Sequence, residues 1–118
     1  MSNKNTINFE IQQGATFRRV LTFKDQEGGL IDLTGNTFRG QARANVLDAS
    51  PVFSFSFTIE NQVTNRGQVI MELDDTTSSA VPVTEARTVF VYDVERVVGT
   101  DVFRVLEGRI MFSAEVTR

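Results

Sequence analysis

The segment Val52–Ile59 reads VFSFSFTI, with Phe53, Phe55, Phe57 and Ile59 alternating with Ser54, Ser56 and Thr58. Successive side chains on an extended backbone point to opposite faces, so this period of two collects the large apolar groups on one face and the hydroxyls on the other. Such a strand must bury its phenylalanine face against a second apolar layer. The same period recurs along most of the chain, and the period of 3.6 that marks a helix is almost absent.

Thr6–Gln12 sets Ile7, Phe9 and Ile11 on one face; ATFRRVLTFK sets Phe17, Leu21 and Phe23 together, with Arg19 interrupting that face. Asp25–Gly29 (DQEGG) is a polar, glycine-bearing hairpin turn. Leu30, Ile31 and Leu33 form a short apolar link, followed by a turn at Thr34-Gly35-Asn36. Thr37–Val46 then aligns Phe38, Gly40, Ala42, Ala44 and Val46, whose small members leave room for phenylalanines opposite. Gln68–Leu73 aligns Val69, Met71 and Leu73, and Thr88–Val97 aligns Phe90, Tyr92 and Val94. After a tight turn at Gly99-Thr100-Asp101, Val102–Val116 aligns Leu106, Ile110 and Phe112, with Gly108 as a candidate bulge. Asp74–Pro82 alone is helix-like: acidic and hydroxyl residues suited to capping, then a proline stop. The expected fold is all-β, a seven-stranded antiparallel immunoglobulin-like β-sandwich with one short helical turn. Periodicity alone leaves a small closed barrel open. Residues 1–118 read as one domain, with 1–6 a polar, flexible N-terminal arm.

Composition narrows the chemistry. The chain has no cysteine and no histidine, which removes thiolate chemistry, the usual neutral-pH proton shuttle and the favoured zinc ligands. Serine chemistry would need Lys4 or Lys24 as base, and neither sits in a Ser-x-x-Lys pattern. No GxGxxG occurs, and the paired Asp74-Asp75 reads as a helix cap. Asp25, Glu27 and Asp32 surround a glycine turn without the spacing of a calcium loop. No catalytic, cofactor-binding or metal-ligating residue is therefore assigned, and the chain is not expected to be an enzyme. Its formal charge of −3 lacks the basic footprint of a nucleic-acid binder. No apolar run approaches the ~18 residues of a membrane helix, and MSNKNTINFEIQQG carries no signal-peptide core.

Two features point to contacts instead. Ten of the twelve basic residues are arginine, the cation favoured at protein interfaces. Arg39 and Arg43 share one polar strand face and suit pairing with acidic groups of a neighbouring strand or a neighbouring subunit; they are the candidate interface residues. Tyr92, the one tyrosine, is expected to face inward and return its hydroxyl to a backbone group, as tyrosines at sandwich corners do.

Ile31-Asp32-Leu33-Thr34-Gly35, Tyr92-Asp93-Val94-Glu95, Leu106-Glu107-Gly108 and Glu115-Val116-Thr117-Arg118 follow one another in an order that resembles a family of small, tail-associated phage virion proteins. The resemblance spans nearly the whole chain, from the QG before the second strand to the last residue. It implies an immunoglobulin-like collar or baseplate subunit that assembles with other virion proteins, as a homo-oligomeric ring or a decoration at the tail. It brings no catalytic residues and no cofactor, and implies neither nucleic-acid nor membrane partners. The expected location is the virion, assembled in the host cytoplasm. A head or neck decoration, or a host-surface carbohydrate-binding module on the same fold, is the alternative. The latter is disfavoured by the absence of tryptophan and the inward placement of the one tyrosine.

Overall fold

A computed structural model describes residues 5–116. The chain is all-β apart from one short helix: β1 (Asn5–Thr6), β2 (Phe9–Gln12), β3 (Phe17–Thr22), β4 (Thr37–Arg43), β5 (Phe53–Ile59), β6 (Gln68–Leu73), α1 (Asp75–Ala80), β7 (Arg87–Val98) and β8 (Asp101–Ser113). The spatial order is β1-β8-β7-β4-β5-β6-β3, with β2 also paired to β8. The strands form one curled, open, mixed sheet. β5 makes the bend: Phe53–Phe55 pair with β4, and Ser56–Ile59 pair with β6. The sheet curls far enough for its two ends to meet, bringing the rings of Phe9 on β2 and Phe17 on β3 to 5.2 Å, although those strands do not pair.

Two expectations need correction. Eight strands are present rather than seven, because the first expected strand breaks at Ile7-Asn8. The sheet is not wholly antiparallel: β1 and β2 run parallel to β8, while the other pairings are antiparallel. β2 lies along β8, and after a short turn the chain crosses to β3 at the opposite end of the curled sheet, beside β6. Neither fact is written in the local alternation. Of the expected N-terminal arm, residues 1–4 lie outside the described residues, while Asn5 and Thr6 are in register with Leu106 and Glu107.

The concave side holds the core. Phe53, Phe55, Phe90, Tyr92, Val94, Leu106, Ile110, Phe112, Val69, Met71 and Leu73 are buried, in the phases their alternation predicts. Phe53 is central, with the rings of Phe55, Phe90 and Phe112 at 5.4, 5.8 and 5.4 Å in edge-on geometry. Gly40 has the expected use: a β-carbon there would lie 3.0 Å from Phe57 Cζ and 3.2 Å from Val94 Cγ2. Arg19, the interruption in the β3 face, lays its guanidinium over the rings of Phe17 and Phe9 at 5.1 and 5.6 Å, covering the open seam of the sheet.

Side chains that satisfy backbone groups fix the two ends. Asp74 caps α1 by accepting from Thr77 N–H at 2.7 Å, and hydrogen bonding to the Thr77 side chain, with that N–H bond beside it, holds its carboxyl below the usual range. Ser78, fully buried in α1, accepts from Gly14 N–H at 3.0 Å and donates to the Gln12 carbonyl at 3.4 Å, clamping the β2–β3 turn. At the other end, Asp32 Oδ1 accepts from both the N–H and the hydroxyl of Thr34. Leu33 is fully buried, and its N–H donates to Gln62 Oε1. Asn36 Oδ1 accepts from Arg96 Nε at 2.6 Å, tying this link to β7. The IDLTGN segment is thus a plug.

Gly108 is not the bulge. The register of β7 and β8 shifts between Val94 and Glu95, leaving Val105 as the extra residue. Gly108 instead makes room for the N-terminal segment, since a β-carbon there would collide with the Ile7 carbonyl oxygen. That carbonyl accepts from the Tyr92 hydroxyl at 2.6 Å, Ile7 N–H donates to Glu107 O at 2.9 Å, and Asn8 Oδ1 accepts from Arg109 N–H at 2.9 Å. Tyr92 is buried and spends its hydroxyl on backbone, as the sequence suggested.

Candidate interface on the outer face of the sheet

The face of β4, β7 and β8 turned away from the core is a lattice of charge. Because side chains alternate, the register across these antiparallel strands sets outward residues in rows. Arg43, Val91 and Arg109 form one row; Gln41, Asp93 and Glu107 the next; Arg39, Glu95 and Arg104 the third. An open groove of about 480 Å³ lies over the first two rows and continues to Thr6 and Asn8.

The acids of this lattice are committed. Arg39 Nε donates to Glu95 Oε1 at 2.6 Å, while Arg104 reaches Asp93 Oδ2 at 3.3 Å and Glu107 Oε1 at 3.7 Å. Partial burial pushes the Asp93 carboxyl above its ordinary range; Arg104 and, less strongly, Arg43 oppose that shift, while Glu95 and Glu107 add to it. Arg39 remains 61% exposed at the side chain. An ion pair that open to water contributes roughly 0–1 kcal/mol, so these pairs do little to hold the sheet together. Their chemical capacity is to present fixed, directional charge to a second surface.

Both candidate interface residues lie on this face, with different surroundings. Arg39 is paired within the chain. Arg43 donates to the Asp48 carbonyl and to Gln41 Oε1, each at 3.0 Å, which orients its guanidinium without giving it a carboxylate. Beside it, the β4–β5 loop exposes Val46 and Leu47, at 77% and 93%. Sequence reading missed Asp93, Arg104, Glu107 and Arg109. The alternation of Glu107 and Arg109 was a usable signal for those two. The approach of Arg104 to Asp93 depends on the Val105 bulge, which carries no local mark.

Two further clusters are structural. Asp25 Oδ1 accepts from the N–H groups of Glu27 and Gly29, closing its own turn. Asp32 is held below the usual range by its hydrogen bonds to Thr34, with Arg66 contributing less.

No family model matches the chain, and no curated protein does. Among solved structures, it is similar to the sialyltransferase from Photobacterium damsela at a TM-score of 0.39 and 9% identity; that likeness covers 92% of this chain and 18% of the other. The chain spans under a fifth of that enzyme's length, and a likeness this weak carries no argument about activity.

Proposed function

We propose that this chain is a structural virion protein of a tailed bacteriophage, a subunit that forms or decorates a ring at the tail or baseplate. The observation that carries the reading is the outer face of β4, β7 and β8. Its ordered charges contribute little to folding, border an open groove, and end beside the exposed Val46 and Leu47. A face of this kind suits a subunit repeatedly joined to neighbours.

The resemblance in sequence adds support, because its pieces fall where the fold is fixed. Ile31–Gly35 forms the end plug, Tyr92 and Gly108 hold the N-terminal segment, and Asp93, Glu95 and Glu107 stand in the charged lattice. Thr117 and Arg118 lie outside the described residues. The finer fold we propose is an immunoglobulin-like sandwich. One layer is β2-β8-β7-β4, and the other is β3-β6 with the second half of β5. The facing of the two arms supports it, with Phe9 of β2 against Phe17 of β3 and Phe17 against Phe55 of β5.

The test is to label intact particles of the encoding phage with antibody to this chain and to reconstruct them by cryo-electron microscopy. Repeated density at the tail or baseplate is expected. Label confined to heads, or absent from particles, refutes the reading.

A further inference from the structure

In the outermost row of the lattice, Arg43 and Arg109 flank Val91 across three neighbouring strands. Two inter-strand spacings set their backbones about 10 Å apart. The closest carboxylate contacts of the lattice go to Arg39 and Arg104; Arg43 acts on Asp93 only at longer range, and neither Arg43 nor Arg109 makes an ion pair among the described residues. Both line the groove, with apolar Val91 and Val46 beside them. A surface that fits carries two carboxylates close together with an apolar residue alongside.

The chain itself carries one. In the turn Asp25–Gly29, every residue from Lys24 to Leu30 is exposed, and Asp25 and Glu27 stand two apart with no ion pair among the described residues. Leu30, 41% exposed, follows at once. The turn is rigid, because Asp25 N–H donates to the Gly29 carbonyl and Asp25 Oδ1 holds two further N–H groups. It lies beyond β3, on the other arm of the curled sheet from the groove, so the two surfaces are separate.

We propose that the groove between Arg43 and Arg109 receives the Asp25–Gly29 turn of a second copy of this chain. The contact is heterologous, joining two different patches, and repeats of it close a ring or grow a filament. The inference rests on the subunit reading above and names the two surfaces that join.

The test uses the full chain and two charge-reversed variants, Glu27→Arg and Arg109→Glu. Asp25 is kept because its carboxylate builds the turn. Wild-type protein at about 100 μM in low salt is expected to show concentration-dependent association by analytical ultracentrifugation, weakening at about 0.5 M salt. Each variant alone is expected to lose at least about tenfold in association. Mixed in equal amounts, the variants hold a native turn on one and a native groove on the other, so association is restored between them. Thermal melts check that each variant is folded, and Arg43→Glu replaces Arg109→Glu if the latter is not. The proposal is overturned if wild type stays monomeric, if either folded variant associates like wild type, or if the mixture does not pair. Absence of the chain from particles, with the mixing result intact, would remove the virion reading and leave this contact standing.

Discussion

Tyr92 offers a sharp test because the chain has no other tyrosine and no tryptophan, so absorbance at 295 nm reports its ionisation alone. Its hydroxyl donates to the Ile7 carbonyl at 2.6 Å, and burial pushes its phenol above the ordinary value. Replacing it in Tyr92→Phe removes one hydrogen bond and leaves that carbonyl without its donor, a loss of about 1 kcal/mol at pH 7. In a domain of this size that lowers Tm by about 4 °C. The pH dependence carries the stronger claim. The phenol is raised in the folded state, so the folded protein holds its proton while the unfolded chain, titrating near ~10, releases it. The stabilisation is fully present below pH ~10 and is lost as pH rises towards the folded value, at about 1.4 kcal/mol per pH unit. Tyr92→Phe lacks this loss. The two urea-denaturation stabilities are therefore expected to cross near pH ~11, above which the variant is the more stable. A phenol that titrates near ~10 in the folded protein, or stability curves that stay parallel through pH ~11, would refute the argument that this hydroxyl is buried and bonded.

Phe53→Ala, which empties the centre of the ring cluster, is expected to cost about 3–5 kcal/mol by urea denaturation, enough to unfold a domain of marginal stability. Ser78→Ala leaves Gly14 N–H without its acceptor and should cost about 1–3 kcal/mol, with amide exchange rising first in the Gln13–Thr16 turn. Gly108→Ala forces the Ile7 carbonyl away and should cost about 1–3 kcal/mol. Combined with Tyr92→Phe it should cost less than the two separately, because both act on the same carbonyl. Arg39→Ala is expected to change stability by no more than about 1 kcal/mol, since its pair with Glu95 is exposed; a larger loss would show the lattice to be structural.

The core was legible in the sequence because a strand's facing is a local property. VFSFSFTI, QVIMEL and the Phe90-Tyr92-Val94 series could bury only one face each, and those are the faces buried. The Asp74 cap was legible for a similar reason, since its partner lies three residues away. Arg39 and Arg43 were legible as members of a polar face and no further. Which of them has a carboxylate directly opposite depends on what β7 sets there: Glu95 for Arg39, Val91 for Arg43.

What the sequence determined by itself is an all-β chain whose phenylalanines share a core, because alternation and turn chemistry act over a few residues. The tertiary structure decided the rest. It ran β1 and β2 parallel to β8, passed β5 from one arm of the sheet to the other, and set the Ile7 carbonyl over Gly108 beneath the Tyr92 hydroxyl. It also set Glu95 against Arg39, and Asp93 and Glu107 against Arg104. Each of these joins residues far apart in the chain. Such pairings follow from the closing of the whole core and from a one-residue shift of register at Val105, and no local window of sequence contains either.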